Sequence, residues 1–200
     1  RYIKNEDPLK RGVIIEEEVV NKISDPLFEN EILLGDSDES NPSNWSISDY
    51  NKMISSNTTV KNNVLRHTSF NANNGTIKLN SPSMTIDKSS PLTVHFKIKY
   101  VTNTEDHSLW AYGSAVGDAP IKLEQYLHIN EMGEDGFIYR EYRMPTGTFT
   151  GSGDVISFGL WGKENGYDEK DYYLKEFQVL EKSHGLTFTV GEKSKEILKV

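Results

Sequence analysis

Residues 92–100 constrain this chain more than any other stretch. Leu92, Val94, Phe96, Ile98 and Tyr100 alternate without a break with Thr93, His95, Lys97 and Lys99. Successive side chains of a β-strand point to opposite faces, so the five apolar residues form one buried face and the four polar ones face water or a second layer. A strand buried on one side requires a sheet around it and a second layer to pack against. Shorter runs of the same kind recur every eight to twelve residues or so: 31–35, 45–48, 60–70, 76–80, 84–86, 108–114, 121–129, 137–144, 155–161 and 172–180. Turn-forming clusters such as Asn73-Asn74-Gly75, Asp135-Gly136 and Gly151-Ser152-Gly153 separate them. This spacing predicts an all-β, two-sheet antiparallel sandwich; βαβ architecture is not expected, because no long amphipathic helix interrupts the series.

Outside that body, residues 1–27 read as an N-terminal connector. Ile15, Val19 and Ile23 could share a helical face, so a short helix and an extended linker are both open there until Asp25-Pro26 ends the element. The sandwich is expected over 28–182. Residues 183–200, with the apolar alternation of Leu186, Phe188 and Val190, read as a linker or the start of a further domain. A first residue that is not Met, and a last segment with no terminating signal, fit a piece of a longer protein.

Composition removes several classes of function. The 200 residues hold no cysteine, which excludes a disulfide framework, a thiolate metal site and a thiol nucleophile. The 22 basic residues are dispersed among 30 acids for a net charge of -8, the wrong balance for gripping phosphates, so no nucleic-acid partner is expected. No apolar run approaches the roughly 20 residues that span a bilayer. The five histidines, His67, His95, His107, His128 and His184, are scattered without HExxH spacing, and neither a phosphate-binding loop nor a G-x-S-x-G nucleophile elbow is present. Glu124, Glu141 and Glu176 fall on expected strands, yet nothing in the sequence pairs them as a hydrolase would need. The chain is therefore not expected to be an enzyme.

Metal binding is weakly signalled. Asp36, Asp38 and Glu39 supply oxygens, but an EF-hand would need glycine at Asn41 and glutamate at Ile47. Glu164, Asp168, Glu169 and Asp171 form a second acidic stretch that reads equally well as a solvated loop.

The order of elements carries a resemblance. Glu31 to Asp36, then Trp45-Ser46-Ile47-Ser48, then Phe137 to Met144, Val155 to Trp161 and Tyr172 to Leu180 resemble, over about residues 28 to 181, the jelly-roll carbohydrate-binding modules of secreted bacterial glycoside hydrolases and of phage tail and baseplate proteins. That resemblance implies non-catalytic binding of a cell-surface or plant polysaccharide, on a concave sheet face or at the loops. The setting would be a multidomain extracellular, cell-surface or virion protein, with homo-oligomerisation of the parent as a route to multivalent adhesion. It also implies a structural calcium beside the last strand. Lys175 precedes Glu176 where an acidic pair would stand, so no cofactor is expected.

Sugars are held by laying the apolar face of the ring on an aromatic plane and hydrogen-bonding the hydroxyls. Trp110 and Tyr112 share a strand face opposite Leu109 and Ala111, and Trp161 lies on the opposite phase from Ile156, Phe158 and Leu160. With Tyr126 and Tyr142 they are the candidate platforms, and Gln125 and Arg140 the candidate hydrogen-bonding residues. The competing reading is a structural spacer in which the same aromatics are core, since aromatic burial dominates sandwich interiors.

Overall fold

The computed structural model describes residues 14–24, 26–28, 32–34, 45–50, 53–71, 76–101, 107–162, 169–185, 188–190 and 193–199. The acidic loop at 36–39, and Glu164 and Asp168 of the second acidic stretch, lie outside the described residues, whereas Glu169 and Asp171 fall in a strand rather than a loop.

Strands β1 (Ile14–Val20), β2 (Ile32–Leu34), β3 (Ser46–Tyr50), β4 (Met53–Lys61), β5 (Val64–Asn71), β6 (Thr76–Asn80), β7 (Met84–Thr85) and β8 (Leu92–Tyr100) make up the first half. The second half holds β9 (His107–Tyr112), β10 (Ile121–Lys122), β11 (Leu127–Met132), β12 (Ile138–Met144), β13 (Val155–Gly162), β14 (Glu169–Leu180), β15 (Phe188–Val190) and β16 (Lys193–Lys199). A single 3-10 turn at Glu124–Tyr126 is the only helical element among the described residues.

Two antiparallel sheets form the sandwich of the expected jelly-roll class. The larger runs β11-β12-β8-β14-β5-β4-β2; the smaller runs β10-β9-β13-β6-β3, with β7 added against β13. After β8 the chain passes back and forth between the two sheets. β8, the most strongly patterned strand, lies inside the larger sheet, between β12 and β14.

The core follows from the alternation. Leu92, Val94, Phe96 and Ile98 of β8 meet Leu109 and Ala111 of β9 and Ile156, Phe158 and Leu160 of β13 in one continuous cluster. An aromatic chain threads it: Phe28 against Trp45, Trp45 edge-on to Phe177, Phe177 stacked on Phe96 at 5.2 Å, and Phe96 on Tyr142. Burying each of these rings contributes on the order of 2–3 kcal/mol.

Two strand expectations are corrected, and the alternative left open near the N-terminus is resolved. Residues 14–20 are a strand, paired with β16 in a separate three-stranded sheet with β15, so the extended alternative holds at the N-terminus rather than the helical one. The stretch 60–70 is not one strand: Asn62 and Asn63 both adopt positive φ, 53° and 62°, and turn β4 back into β5. Asparagine tolerates that region, which is why a two-residue hairpin forms without glycine. The stretch 121–129 breaks at the 3-10 turn, because Leu123 turns inward and donates its N–H to the Leu109 carbonyl. Residues of the expected connector also contact the body: Ile23 is core, and the Lys22 N–H bonds the Val179 carbonyl.

Candidate functional site

The burial of β9 alternates as its sequence does. His107, Leu109 and Ala111 are buried, while Ser108, Trp110 and Tyr112 are half-buried on the side away from the core. Register extends that outer side across the smaller sheet. Trp110 lies opposite Gly159 and Lys122, Tyr112 opposite Ser157, Ser108 opposite Trp161, and Trp161 opposite Lys78.

Here the indoles of Trp110 and Trp161 stack with centroids 4.8 Å apart and planes 18° apart. That separation equals the spacing of neighbouring strands, about 4.8 Å, so the two rings stand edge-on to the sheet, side by side. On the other flank of Trp161 the Lys78 ammonium sits 3.7 Å from the ring centroid, an attractive cation–π contact. The indole N–H of Trp161 donates to Asn80 Oδ1 at 3.1 Å. Gly159 makes this arrangement sterically feasible: a Cβ there would run into the Trp161 indole. Trp161 therefore keeps only 9% of its surface exposed, although it lies on the outer side of the sheet. It buttresses one face of Trp110, whose half-buried ring keeps its remaining exposure away from that face.

Polar groups lie on the β10 side of Trp110. Lys122 pairs with Glu124 at 3.2 Å, and the Ser108 hydroxyl donates to Glu124 Oε1 at 3.1 Å. The Lys122 hydrogen bond first, then Ser108, hold the Glu124 carboxyl below its ordinary pKa, so it is ionised and accepting. Gln125 follows on the same turn and is exposed; Tyr126 is half-buried and packs against the core. Tyr112 completes the aromatic row 6.1 Å from Trp161, its phenol raised above the ordinary pKa by burial despite a hydrogen bond with Ser157.

Two expected site residues lie elsewhere. Arg140 and Tyr142 do share a face, but it is the inner one, because β12 pairs with β8 so that Arg140 falls opposite Phe96 and Tyr142 opposite Val94. Tyr142 is 2% exposed, stacked on Phe96, with its phenol pushed up to about 12 by burial. A ring with no accessible face cannot serve as a platform. Arg140 spends its guanidinium on Asn130 Oδ1, the Tyr100 hydroxyl and the His107 carbonyl, bracing the end of the sandwich. Sequence reasoning passed over Lys78, Asn80, Ser108 and Lys122 as contributors to the aromatic row. The signal for three of them was phase: they sit at the outward positions of β6 and β9.

The outer side of the larger sheet carries a different arrangement. Glu141 accepts from the Tyr139 hydroxyl at 2.6 Å, Arg143 Nε at 2.6 Å and the Gly185 N–H at 3.0 Å. Burial would raise its pKa, but the hydrogen bonds from Tyr139 and Arg143 outweigh that and hold it below the ordinary value. His95 lies beside it, 2% exposed, and burial lowers its pKa to about 4 against the pull of Glu141 and Glu176. Residues 181–185 lie along this end of the face, with the Thr93 hydroxyl donating to the Lys182 carbonyl. Lys97–Glu176 and Lys175–Asp135 ion pairs continue the face. Lys175 and Glu176, the pair at the expected calcium position, are thus each engaged with an opposite charge. Among the described residues no group of three or more His, Asp or Glu could hold a metal ion. Nor is any helix there long and apolar enough to cross a membrane.

No family model matches the chain, and no curated protein does. Solved structures similar to it include the family 11 carbohydrate-binding module of the cellulosomal cellulase Lic26A-Cel5E of Clostridium thermocellum, at 15% identity and a TM-score of 0.42, covering 76% of this chain and 94% of that one. The mannan-recognising module TmCBM27 is similar at 14% identity and a TM-score of 0.35, over 75% and 97% of the two chains. The adhesin domain of Lys-gingipain from Porphyromonas gingivalis W83 matches at 13% and 0.33, over 84% and 98%. Identities and TM-scores this low leave function to be argued from the chain's own side chains.

Proposed function

We propose that this chain is a non-catalytic carbohydrate-binding module that adheres to a polysaccharide through the outer side of its smaller sheet. The observation that carries this is the pair Trp110 and Tyr112, only half-buried on the side of a sheet that faces away from the core. An aromatic row at such a place keeps apolar area in contact with water unless a ligand covers it. A pyranose lies with its C–H face against the exposed part of Trp110, its hydroxyls bonded to Ser108, Lys122, Glu124 and Gln125. Tyr112 extends the row for a second sugar unit. Glu124 lies on the 3-10 turn and Glu141 on the outer side of the larger sheet, each committed to hydrogen bonds or an ion pair, which is why binding rather than hydrolysis is the reading. We place the module in an extracellular, cell-surface or phage-tail protein, where several copies would strengthen weak single sites.

A structural spacer is the second reading, favoured by how fully Lys78, Asn80 and Trp110 satisfy Trp161. Titrating the chain with a panel of plant and bacterial polysaccharides while following tryptophan fluorescence separates the two. Binding shifts or quenches the emission with at least one glycan, and Trp110→Ala abolishes that response. A flat response to every glycan supports the spacer.

A further inference from the structure

Away from the aromatic row, a groove of about 410 Å3 opens where β14 leaves β5. Leu27, Asn62, Asn63, Val64, Lys175 and Glu176 line it, and the volume falls within the roughly 300–1,000 Å3 typical of small-ligand sites. Its backbone is unusual. The positive-φ residues other than glycine among the described ones are Phe28, Asn62, Asn63 and Glu176; three of them line this groove and Phe28 adjoins Leu27. Such conformations concentrate where surrounding structure holds them for a purpose.

The glutamate is the most telling. β14 pairs with β8 up to Lys175 and resumes at Gln178, so one extra residue bulges out at Glu176 with φ 53°. Pairing with β5 has already ended at Leu174. Leu174 and Phe177 point into the core, so Lys175 and Glu176 both fall outside it, breaking the alternation that the rest of β14 keeps. Bulges re-aim side chains in this way next to binding sites. Across the groove, the left-handed turn presents the Asn62 and Asn63 amides, and Asn63 Nδ2 donates to the Leu27 carbonyl, tying the two walls together.

We infer that this groove is a second binding site, independent of Trp110, for the end of a neutral saccharide. One lysine and one glutamate leave the lining without net charge, and both are already paired, with Asp135 and Lys97. A charged ligand would meet a like charge whichever its sign. Amides, carboxylate and ammonium together both donate to and accept from hydroxyls, while Leu27 and Val64 offer the apolar surface that the C–H face of a pyranose needs.

The test is a nuclear magnetic resonance titration of the isotope-labelled full chain with the methyl glycosides of glucose, galactose, mannose and xylose, and with glucuronate. The proposal expects saturable shifts at the side-chain amides of Asn62 and Asn63 and the backbone amides of Leu27 and Glu176 with at least one neutral glycoside and not with glucuronate. Those shifts persist in Trp110→Ala, weaken about tenfold in Glu176→Gln through loss of a charged acceptor, and vanish in Val64→Phe, which fills the groove. Absence of saturable shifts there with every glycoside, shifts confined to residues around Trp110, or equal affinity in Val64→Phe overturns the second site. A loss confined to Trp110→Ala bears on the aromatic row instead.

Discussion

The outer sides of the two sheets are built from the same alternating pattern and end in opposite conditions. On the larger sheet the outward residues Tyr139 and Arg143 turn their polar groups on Glu141, residues 181–185 lie along the same end with the Gly185 N–H donating to it, and the outward Glu141 and His95 are buried. On the smaller sheet the outward residues Trp110, Trp161 and Tyr112 form a row in which Trp161 is covered while Trp110 and Tyr112 stay partly exposed. A carboxylate already committed to three internal donors has little left to offer a partner; an aromatic row that keeps part of its surface exposed retains apolar area that a ligand would remove from water. The difference assigns stability to one side of the sandwich and recognition to the other.

The largest effect that would sharpen this contrast comes from Glu141→Ala. Removing the buried carboxylate leaves the half-buried Tyr139 hydroxyl, Gly185 N–H and Arg143 without their acceptor, and should cost about 2–3 kcal/mol in chemical denaturation. A cost under about 0.5 kcal/mol would mean that the larger sheet does not depend on its network.

Acid should act on the same side. His95 is held neutral with a pKa near 4, below the ordinary value of about 6.5, so the unfolded chain binds the proton more readily between those limits. Stability from this group is therefore full above about pH 6.5 and falls as pH drops, by about 3 kcal/mol near pH 4. The lowered Glu141 pKa adds loss in the same direction at lower pH still. Denaturation midpoints of His95→Gln against pH should lack the decline between pH 6.5 and 4 that the unsubstituted chain shows.

On the recognition side, Gly159→Ala drives a methyl into the Trp161 indole and should cost about 1–3 kcal/mol while shifting tryptophan emission as the stack opens. An unshifted spectrum would show that Trp161 does not lie over Gly159. Smaller in stability is Trp110→Ala, at about 1–2 kcal/mol, because the half-buried ring is partly in water and its main contact is the stack on Trp161.

Much of the fold was legible because β8, β9 and β13 alternate cleanly, and the pairing of Trp110 with Tyr112 opposite Leu109 and Ala111 followed from phase alone. β12 shows where phase stops. Its residues Ile138, Arg140, Tyr142 and Met144 alternate with Tyr139, Glu141 and Arg143, and both sets mix aromatic with charged side chains. Which set faces inward is decided by register with β8, a contact some forty residues away in sequence that no local pattern encodes. Trp161 failed in another way: its outward phase was read correctly, but its burial depends on Gly159 lacking a side chain and on Lys78 arriving from a neighbouring strand. The hairpin at Asn62-Asn63 was hidden because asparagine without glycine is an ambiguous turn signal inside a β-rich run.

Isothermal titration of the unsubstituted chain and of Trp110→Ala, with whichever polysaccharide gives the strongest fluorescence response, tests the division of labour most directly. The account predicts measurable heat of binding that disappears in Trp110→Ala while the melting temperature stays within a few degrees of the original. Unchanged binding in that variant, or loss of binding only through unfolding, would contradict it.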